Sequence, residues 1–223
     1  MNSFWNSCKS AFARGSARSP RRSFSFRYSQ GSESFFRRPL YQLMIGGNLV
    51  VFALWNTDLL SQNMMVKHFA LSKATLAQGN VHTLFTYSFS HTNIMHLLFN
   101  MLPIYFFGRT IEQSFGRRRL WHAWLAGALC GALIELFHAP DYRLLIGSSS
   151  ATASILSFFI WRFPHETIYM YFVPVPAWVL GCLYFGYSYW MSKRGGGGNT
   201  AHGAHLGGLL AGTAVHFATR GRL

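Results

Sequence analysis

Acidic side chains are the scarcest feature of this sequence. The 223 residues include only six Asp and Glu but 20 Lys and Arg. Charged residues of both signs make up only 12% of the chain, about half of their usual share in soluble domains. This shortage disfavours a soluble domain and indicates a membrane protein. Cysteine is also rare, and three widely spaced cysteines predict neither a disulfide framework nor a cysteine-bound metal.

The excess of positive charge, +14 in total, does not indicate nucleic-acid binding. Nucleic-acid-binding domains carry their basic residues as a patch or along one helix face. Here the basic residues lie in the N-terminal arm or in short segments between apolar runs. We therefore predict no nucleic-acid partner.

Residues 1–36 have the composition of an organellar transit peptide. The first 32 residues contain no acidic side chain but six basic ones, with Ser, Phe and Trp interspersed. Positive charge responds to the membrane potential that drives import, and apolar residues offer a face to an import receptor. The segment lacks the apolar core of a secretory signal. We expect a protein of the mitochondrial inner membrane; a plastid membrane and a simple disordered basic leader are the alternatives.

Residues 37–223 are predicted to form the second part of the chain, a helical membrane domain. Each of its apolar segments is close to the roughly 20 residues that a helix needs to cross a bilayer. The segment 57–90 is amphipathic and too polar to span, so we place it in the membrane interface. The predicted fold is an all-α bundle of six transmembrane helices with an interfacial first loop. The predicted spans are 40–56, 92–111, 119–137, 147–163, 168–190 and 203–219.

The distribution of basic residues agrees with six spans. An even number of spans puts both ends of the domain on one side of the membrane. That side receives Arg37, Arg38, Arg109, Arg117, Arg118, Arg119, Arg162, Arg220 and Arg222, and the other side receives Lys67, Lys73, Arg143, Lys193 and Arg194. Membrane proteins keep the more basic loops on the inner side, so the six-span arrangement satisfies this rule.

Polar side chains open three of the predicted spans, the second, fourth and sixth. Alternate spans begin on the same side of the membrane, so the three groups meet at one depth. Polar groups at membrane depth are costly and usually line a cavity or pair with each other. Serine, histidine and amide side chains that converge in this way are typical of an acyl-transfer site. The sequences concerned are HTNIMHLLFNM from His91, GSSS from Gly147 and AHGAHLGG from Ala201.

The residue types limit the chemistry of this site. A serine hydroxyl needs a base to take its proton, and a neutral histidine suits that role near pH 7. His96 and Asn100 are four residues apart on one helix face, and both could donate hydrogen bonds to an oxyanion. No acidic residue lies at the entrances of these spans, so a Ser-His dyad is favoured over a triad. No Cys or carboxylate accompanies the histidines, so we predict no metal and no cofactor.

The sequence resembles the rhomboid intramembrane serine proteases over residues 40–219. The similarity rests on H-x4-H-L-L-F-N-M in the second span, G-x-S-x-A in the fourth and A-H-L-G-G-x-x-x-G in the sixth. The segment GRTIEQSFG, from Gly108 to Gly116, also matches, and FVPVPAW with the basic leader is most similar to the mitochondrial and plant-organelle branch. Each motif alone is common, but their combination in this order is specific.

The resemblance implies a role for each matching residue. Ser149 would be the nucleophile and His205 its base, and Gly208 would let the sixth span approach the fourth so that His205 reaches Ser149. The supporting residues would be His96 and Asn100 for the oxyanion, His91 to order the site, and Gly147 with the Ser149 N–H to complete the pocket.

The implied activity is hydrolysis of peptide bonds in or near the transmembrane segments of membrane proteins, so the expected partners are such substrates and the lipid bilayer. Substrates with Gly or Pro are favoured, because a helix must unwind locally to be cut. The family commonly has Gly after the nucleophile, whereas this chain has Ser150, which could crowd the site or add a hydroxyl to it. An inactive rhomboid-like protein that binds transmembrane helices is therefore the alternative. A small transporter is disfavoured because no inverted repeat is detectable.

Overall fold

The computed structural model describes residues 38–138, 140–141, 143–170, 172–194 and 201–220. These residues belong to one compact unit, Arg37–Leu223. The predicted transit peptide and the GGGG segment at 195–198 lie outside the described residues.

Nine helices, one turn of 3₁₀ helix at Tyr87–Phe89 and one short hairpin make up the described chain. A Pro and a one-turn π-helical stretch lie within the fifth helix, Ile94–Phe115. The helices are α1 Leu40–Trp55, α2 Gln62–Phe69, α3 Lys73–Ala77, α4 Thr83–Thr86, α5 Ile94–Phe115, α6 Arg117–His138, α7 Ser149–Arg162, α8 Ala177–Lys193 and α9 His202–Thr219. The strands are β1 Thr167–Met170 and β2 Val173–Pro176.

Each predicted span overlaps one helix, although the bounds differ. In the described part of the chain, two helices are long and apolar enough to cross a membrane, α5 and α6. Helix α1 is apolar but shorter, and α7 has 14 residues. The chain is thus predominantly helical, as predicted, whereas the count of six crossings stays a prediction.

The first loop folds into short helices, and hydroxyl side chains cap the starts of the first two. Ser61 Oγ accepts the Met64 N–H at the start of α2. At the start of α3, Ser72 Oγ accepts the Thr75 N–H while Thr75 Oγ1 accepts the Ser72 N–H, which is a capping box. Because the first N–H groups of a helix have no acceptor within it, these caps fix where the loop turns.

Helix α5 begins at a polar cap and changes its winding midway. Asn93 Oδ1 accepts the N–H groups of Met95 at 2.8 Å and His96 at 3.3 Å. Pro103 lacks an N–H, so the helix loses a hydrogen bond there, and residues Ile104–Gly108 form a π-helical turn. Such turns are often found at functional sites, and Pro103 lines the cavity described below.

The prediction of a helix from residue 168 is wrong, because residues 167–176 form a hairpin. Strands β1 and β2 pair antiparallel, with Thr167 opposite Pro176 and Met170 opposite Val173. The physical reason is the pair Pro174 and Pro176, which cannot donate the backbone bonds of a helix interior. Helix α8 therefore begins only at Ala177, with Pro176 as its N-cap residue.

A carboxylate from the end of α5 holds the start of α1. Glu112 Oε1 accepts the Leu40 N–H at 2.7 Å, and Oε2 accepts the Tyr41 N–H at 2.9 Å. These are N–H groups that a helix cannot satisfy itself, and a negative charge is favourable at this end of the helix dipole. Glu112 thereby fastens the first helix to the bundle.

Helices α6, α7 and α9 pack through small residues, and the α7–α9 contact is the closest. A Cβ at Gly208 would collide with the Ser150 carbonyl oxygen and lie 2.8 Å from its carbon. Gly212, one turn later, faces the Ser154 carbonyl in the same way. The Gly208–Gly212 spacing thus brings the two backbones into contact, as the sequence predicts.

We predict that Gly208→Ala destabilises the protein, because the methyl group must push α9 away from the α7 backbone. Overpacking of this kind costs about 1–3 kcal/mol. The measurement is the apparent melting temperature of the purified protein in detergent. Gly46→Ala in α1 is the matched control, since a Cβ there meets nothing within 4 Å. A melting temperature for Gly208→Ala equal to that of Gly46→Ala would contradict the prediction.

Candidate active site

The polar starts of three helices meet at one cavity. The cavity has a volume of about 1080 Å³ and lies between α5, α7, α8 and α9. Its polar lining includes Ser149, His205, His96 and Asn100, four of the residues that the sequence singles out. Its apolar lining includes Phe99, Leu156 and Leu180.

Ser149 is the first residue of α7 and is partly exposed to the cavity. The first N–H groups of a helix have no acceptor within it, and the helix dipole places partial positive charge there. The start of α7 therefore stabilises a negative charge that develops beside Ser149.

His205 lies in the first turn of α9 and lines the same cavity. Its ring packs beside Tyr184 of α8, with the ring centres 5.9 Å apart and the planes 33° from parallel. His202, one turn earlier, packs edge-on against Tyr187 with centres 5.5 Å apart. The two Tyr–His contacts orient the start of α9 against α8.

His96 and Asn100 occupy successive turns of α5, as their spacing predicts. Asn100 is buried, its Nδ2 donates to the His96 carbonyl at 2.8 Å, and its Oδ1 accepts from Thr152 Oγ1 at 3.2 Å. The side-chain amide is thus fixed from two sides. Its second N–H hydrogen remains for a group in the cavity.

Gly147 shapes the site through its backbone, and its N–H does not face the cavity. Its φ of +116° is one that side chains rarely allow, and a Cβ there would lie 2.6 Å from His96 Cε1. Its N–H donates to the Tyr87 carbonyl at 3.0 Å. Gly147 therefore leaves room for the His96 ring while fixing the turn before Ser149.

His91 lies behind this turn and not on the cavity wall. It is fully buried, its ring centre is 4.8 Å from that of His96, and its Nε2 accepts the Ser148 N–H at 3.4 Å. Burial, and to a smaller extent the charge of His96, lowers the pKa of His91 to about 3. The imidazole therefore stays neutral near pH 7 and can accept this hydrogen bond.

The side chain of Ser150 points away from the cavity. Its Oγ lies 2.9 Å from Tyr87 Oη, and the Tyr87 hydroxyl donates to the Ala128 carbonyl at 2.6 Å. Because the Tyr87 hydrogen is used in that bond, Ser150 is the donor to Tyr87. A Cβ at Gly131 of α6 would lie 2.7 Å from Ser150 Oγ. The sequence leaves open whether Ser150 crowds the site or adds a hydroxyl to it, and its side chain does neither: the hydroxyl joins α7 to the first loop and α6.

Carboxylates near the site are engaged by basic residues. Within the described residues the ion pairs are Arg143–Glu135 at 3.2 Å and Lys73–Asp141 at 2.8 Å. Glu135 is buried at the end of α6 and ties it to the loop that leads to Ser149. In that same part of the chain, no group of three or more His, Cys, Asp or Glu side chains is placed to hold a metal.

Sequence reasoning missed Tyr184 and Arg143, both of which line the cavity. Tyr184 and Tyr187 are three residues apart, as are His202 and His205, and this matched spacing is a signal that could have been used. Arg143 lies in a loop without periodicity, and nothing in the sequence separates it from other loop residues.

Comparison with known proteins gives consistent matches. The Rhomboid domain family matches residues 78–222. The chain is 33% identical to RHOMBOID-like protein 12, mitochondrial, of Arabidopsis thaliana over 74% of this chain and 54% of that protein. It is 29% identical to Rhomboid protein 1, mitochondrial, of Saccharomyces cerevisiae over 78% of this chain and 51% of that protein.

Further matches extend to bacteria and to plastids. Rhomboid protease GlpG of Salmonella choleraesuis is 28% identical over 60% of this chain and 46% of that protein. Relatives named as chloroplastic, from Arabidopsis thaliana, match shorter stretches. The chain spans about half the length of the two mitochondrial relatives. The family match covers more than half of the chain and includes the start of every helix that lines the cavity, so the predicted membership is confirmed: this chain belongs to the rhomboid family.

Proposed function

We propose that the chain is an intramembrane serine endopeptidase in which Ser149 is the nucleophile and His205 is the general base. The observation that carries this proposal is the cavity that Ser149, His205, His96 and Asn100 line together. These four residues come from three different helices, and they are the types that acyl transfer requires.

The first half of the reaction cleaves the peptide bond. Ser149 Oγ attacks the carbonyl carbon of the substrate while its proton passes to His205. The oxygen of the tetrahedral intermediate receives hydrogen bonds from His96, the second Nδ2 hydrogen of Asn100 and the Ser149 N–H. His205 then gives its proton to the leaving nitrogen, the C–N bond breaks, and an ester links Ser149 to the acyl part.

The second half of the reaction releases this acyl part. A water molecule enters the cavity and attacks the ester carbon while His205 takes its proton. The ester C–O bond breaks, the proton returns to Ser149 Oγ, and the product leaves with a new carboxyl group. The cavity volume of about 1080 Å³ is ample for water beside a substrate segment.

Tyr184 is a positioning residue in this mechanism. A dyad lacks the carboxylate that holds the histidine ring in a triad. The Tyr184 ring beside His205 takes over part of this role by restricting the orientation of the imidazole.

The membrane setting is part of the same proposal. We propose that the chain crosses the bilayer six times, with the starts of α5, α7 and α9 on the side of the membrane that carries fewer basic residues. The substrates are transmembrane proteins, whose helices must unwind near the cavity before a carbonyl reaches Ser149. The mitochondrial relatives and the basic leader favour the mitochondrial inner membrane.

The alternative function is that of an inactive rhomboid-like protein that binds transmembrane helices. Its best support was Ser150 beside the nucleophile. The contact between Ser150 and Tyr87 takes that side chain away from the cavity, which supports the protease proposal.

We predict that Ser149→Ala and His205→Ala each abolish cleavage of a model transmembrane substrate carrying Gly and Pro near the membrane surface. The expected loss is on the order of 10⁴-fold or more, because nucleophile and base act as one unit. The measurement is product formation by protein reconstituted in liposomes. Ser188→Ala and His165→Ala are the matched controls and should keep wild-type rates. Cleavage that persists in Ser149→Ala would exclude the mechanism, and binding without cleavage by wild type would favour the inactive alternative.

We predict that Ser150→Ala lowers stability without impairing catalysis. It removes one hydrogen bond to Tyr87, at a cost of about 0.5–1.5 kcal/mol. The measurements are the apparent melting temperature and kcat/KM per folded enzyme. Tyr87→Phe is the companion variant and should lower the melting temperature similarly. A more than tenfold fall in kcat for Ser150→Ala with an unchanged melting temperature would show that Ser150 acts in the reaction.

We predict that the basic leader drives import into mitochondria. Replacing its six basic residues, Lys9, Arg14, Arg18, Arg21, Arg22 and Arg27, by Gln removes the charge on which the membrane potential acts. Isolated mitochondria should protect the wild-type chain from added protease, lose this protection when uncoupled, and fail to protect the neutralised variant. A matched variant with six serines of the leader replaced by Ala should still be imported. Import of the neutralised variant, or uptake by plastids alone, would contradict the proposed location.

A further inference from the structure

Arginine residues gather at the end of the bundle opposite to the cavity. Arg119 lies in the first turn of α6, Arg162 ends α7, and Arg220 follows α9. Arg162 is 13 residues after Ser149 on one helix, a separation of about 20 Å. This arginine cluster, defined as Arg119, Arg162 and Arg220, is therefore distinct from the proposed active site.

Arg162 lies close enough to Arg119 and Arg220 for both charges to repel its guanidinium. Arg119 and Arg220 both act on the Arg162 guanidinium, and Arg162 and Arg220 both act on His216. Among the described residues, neither ion pair includes Arg162 or Arg220. Glu112, at the nearby end of α5, is already engaged by the backbone of α1. Arg162 and Arg220 therefore concentrate positive charge at this end of the bundle.

Arg162 is held in place by aromatic rings rather than by an anion. Its Cζ lies 4.7 Å from the centre of the Phe115 ring and 5.7 Å from that of Phe158. Its Nε and Nη2 are buried without a hydrogen-bond partner. Attraction to the rings offsets part of the desolvation cost of the guanidinium, but unpaired buried N–H groups remain unfavourable. An arginine that only interacts with the dipole at the end of its helix can keep its guanidinium N–H groups in water.

Aromatic side chains indicate that the cluster lies at the level of the lipid headgroups. Trp161 is half-exposed, its ring stacks on His216 with centres 5.8 Å apart, and its Nε1 donates to Thr213 at 3.0 Å. Trp121 lies one turn into α6 on the same side. Tryptophan with its N–H bonded and its ring exposed is typical of the membrane–water interface.

We propose that the arginine cluster binds the phosphate of an anionic phospholipid headgroup. The planar guanidinium fork matches phosphate oxygens, and basic pockets between transmembrane helices bind anionic headgroups. A phosphatidylcholine headgroup also has a phosphate, but its ammonium group brings a further positive charge to the cluster. The site therefore discriminates by net headgroup charge. This binding is independent of the proposed proteolysis.

The test is the retention of lipid by purified full-length protein in detergent. Native mass spectrometry would count bound lipids after titration with phosphatidylcholine, phosphatidylglycerol or cardiolipin, and inorganic phosphate would be the competitor. Wild type should bind the two anionic lipids in preference to phosphatidylcholine. Arg162→Gln and the exposed Arg220→Gln should each weaken that binding about fivefold, which corresponds to about 1 kcal/mol for one arginine near an anionic surface.

Two further variants make the result specific. Arg162→Lys keeps the charge without the planar fork and should bind anionic lipid between wild type and Arg162→Gln. Arg194→Gln is the matched control, because it removes the same charge at the cavity end of α8, and it should bind like wild type. Equal binding of anionic lipid and phosphatidylcholine by wild type, or unchanged binding by both Arg162→Gln and Arg220→Gln, would overturn the proposal. Complete displacement by inorganic phosphate would assign the site to the free anion instead of a lipid.

Discussion

The contact between the backbones of α7 and α9 is the constraint on which the rest of the site depends. At Gly208 the helices approach until a single methyl group would collide with the Ser150 carbonyl. Ser149 and His205 lie at the starts of these same two helices. Because both side chains are short relative to the usual distance between helix axes, about 8–10 Å, a nucleophile and a base on neighbouring helices need this close approach.

Serine hydroxyl groups form hydrogen bonds between α7 and its neighbours, which adds to the close packing at the glycines. Along α7, Ser150 bonds to Tyr87, Ser154 donates to the Ala123 carbonyl at 2.6 Å, and Ser157 lies 2.9 Å from Thr213 Oγ1. Each of these serines joins α7 to a different neighbour, which is the use of small polar residues expected in membrane bundles. Ser149 is different because it faces the cavity. One helix thus uses the same side chain for assembly at several positions and, in our proposal, for chemistry at one.

The sequence predicts the positions of the main helices because a long apolar run between two basic loops has few alternatives to a membrane helix. It also predicts that the polar starts of three helices share one cavity, because alternate spans begin on one side of the membrane, but not that His91 lies behind the cavity wall. The start of α8 could not be found from hydrophobicity alone, since the strands of the hairpin are as apolar as the helix that follows. The direction of the Ser150 side chain depends on its contact with Tyr87, 63 residues away in the chain. Local sequence does not determine such a contact. Tyr184 could not be identified from local sequence either, because its partner His205 lies on another helix.

Covalent labelling shows whether this bundle activates one serine among many. A fluorophosphonate probe reacts with a serine only when a base withdraws its proton and an oxyanion is stabilised. Mass spectrometry of the labelled protein should find a single adduct on Ser149, and His205→Ala should lose it. A wild-type protein without an adduct, an adduct on another serine, or labelling of Ser149 that persists without His205 would exclude activation of Ser149 by His205.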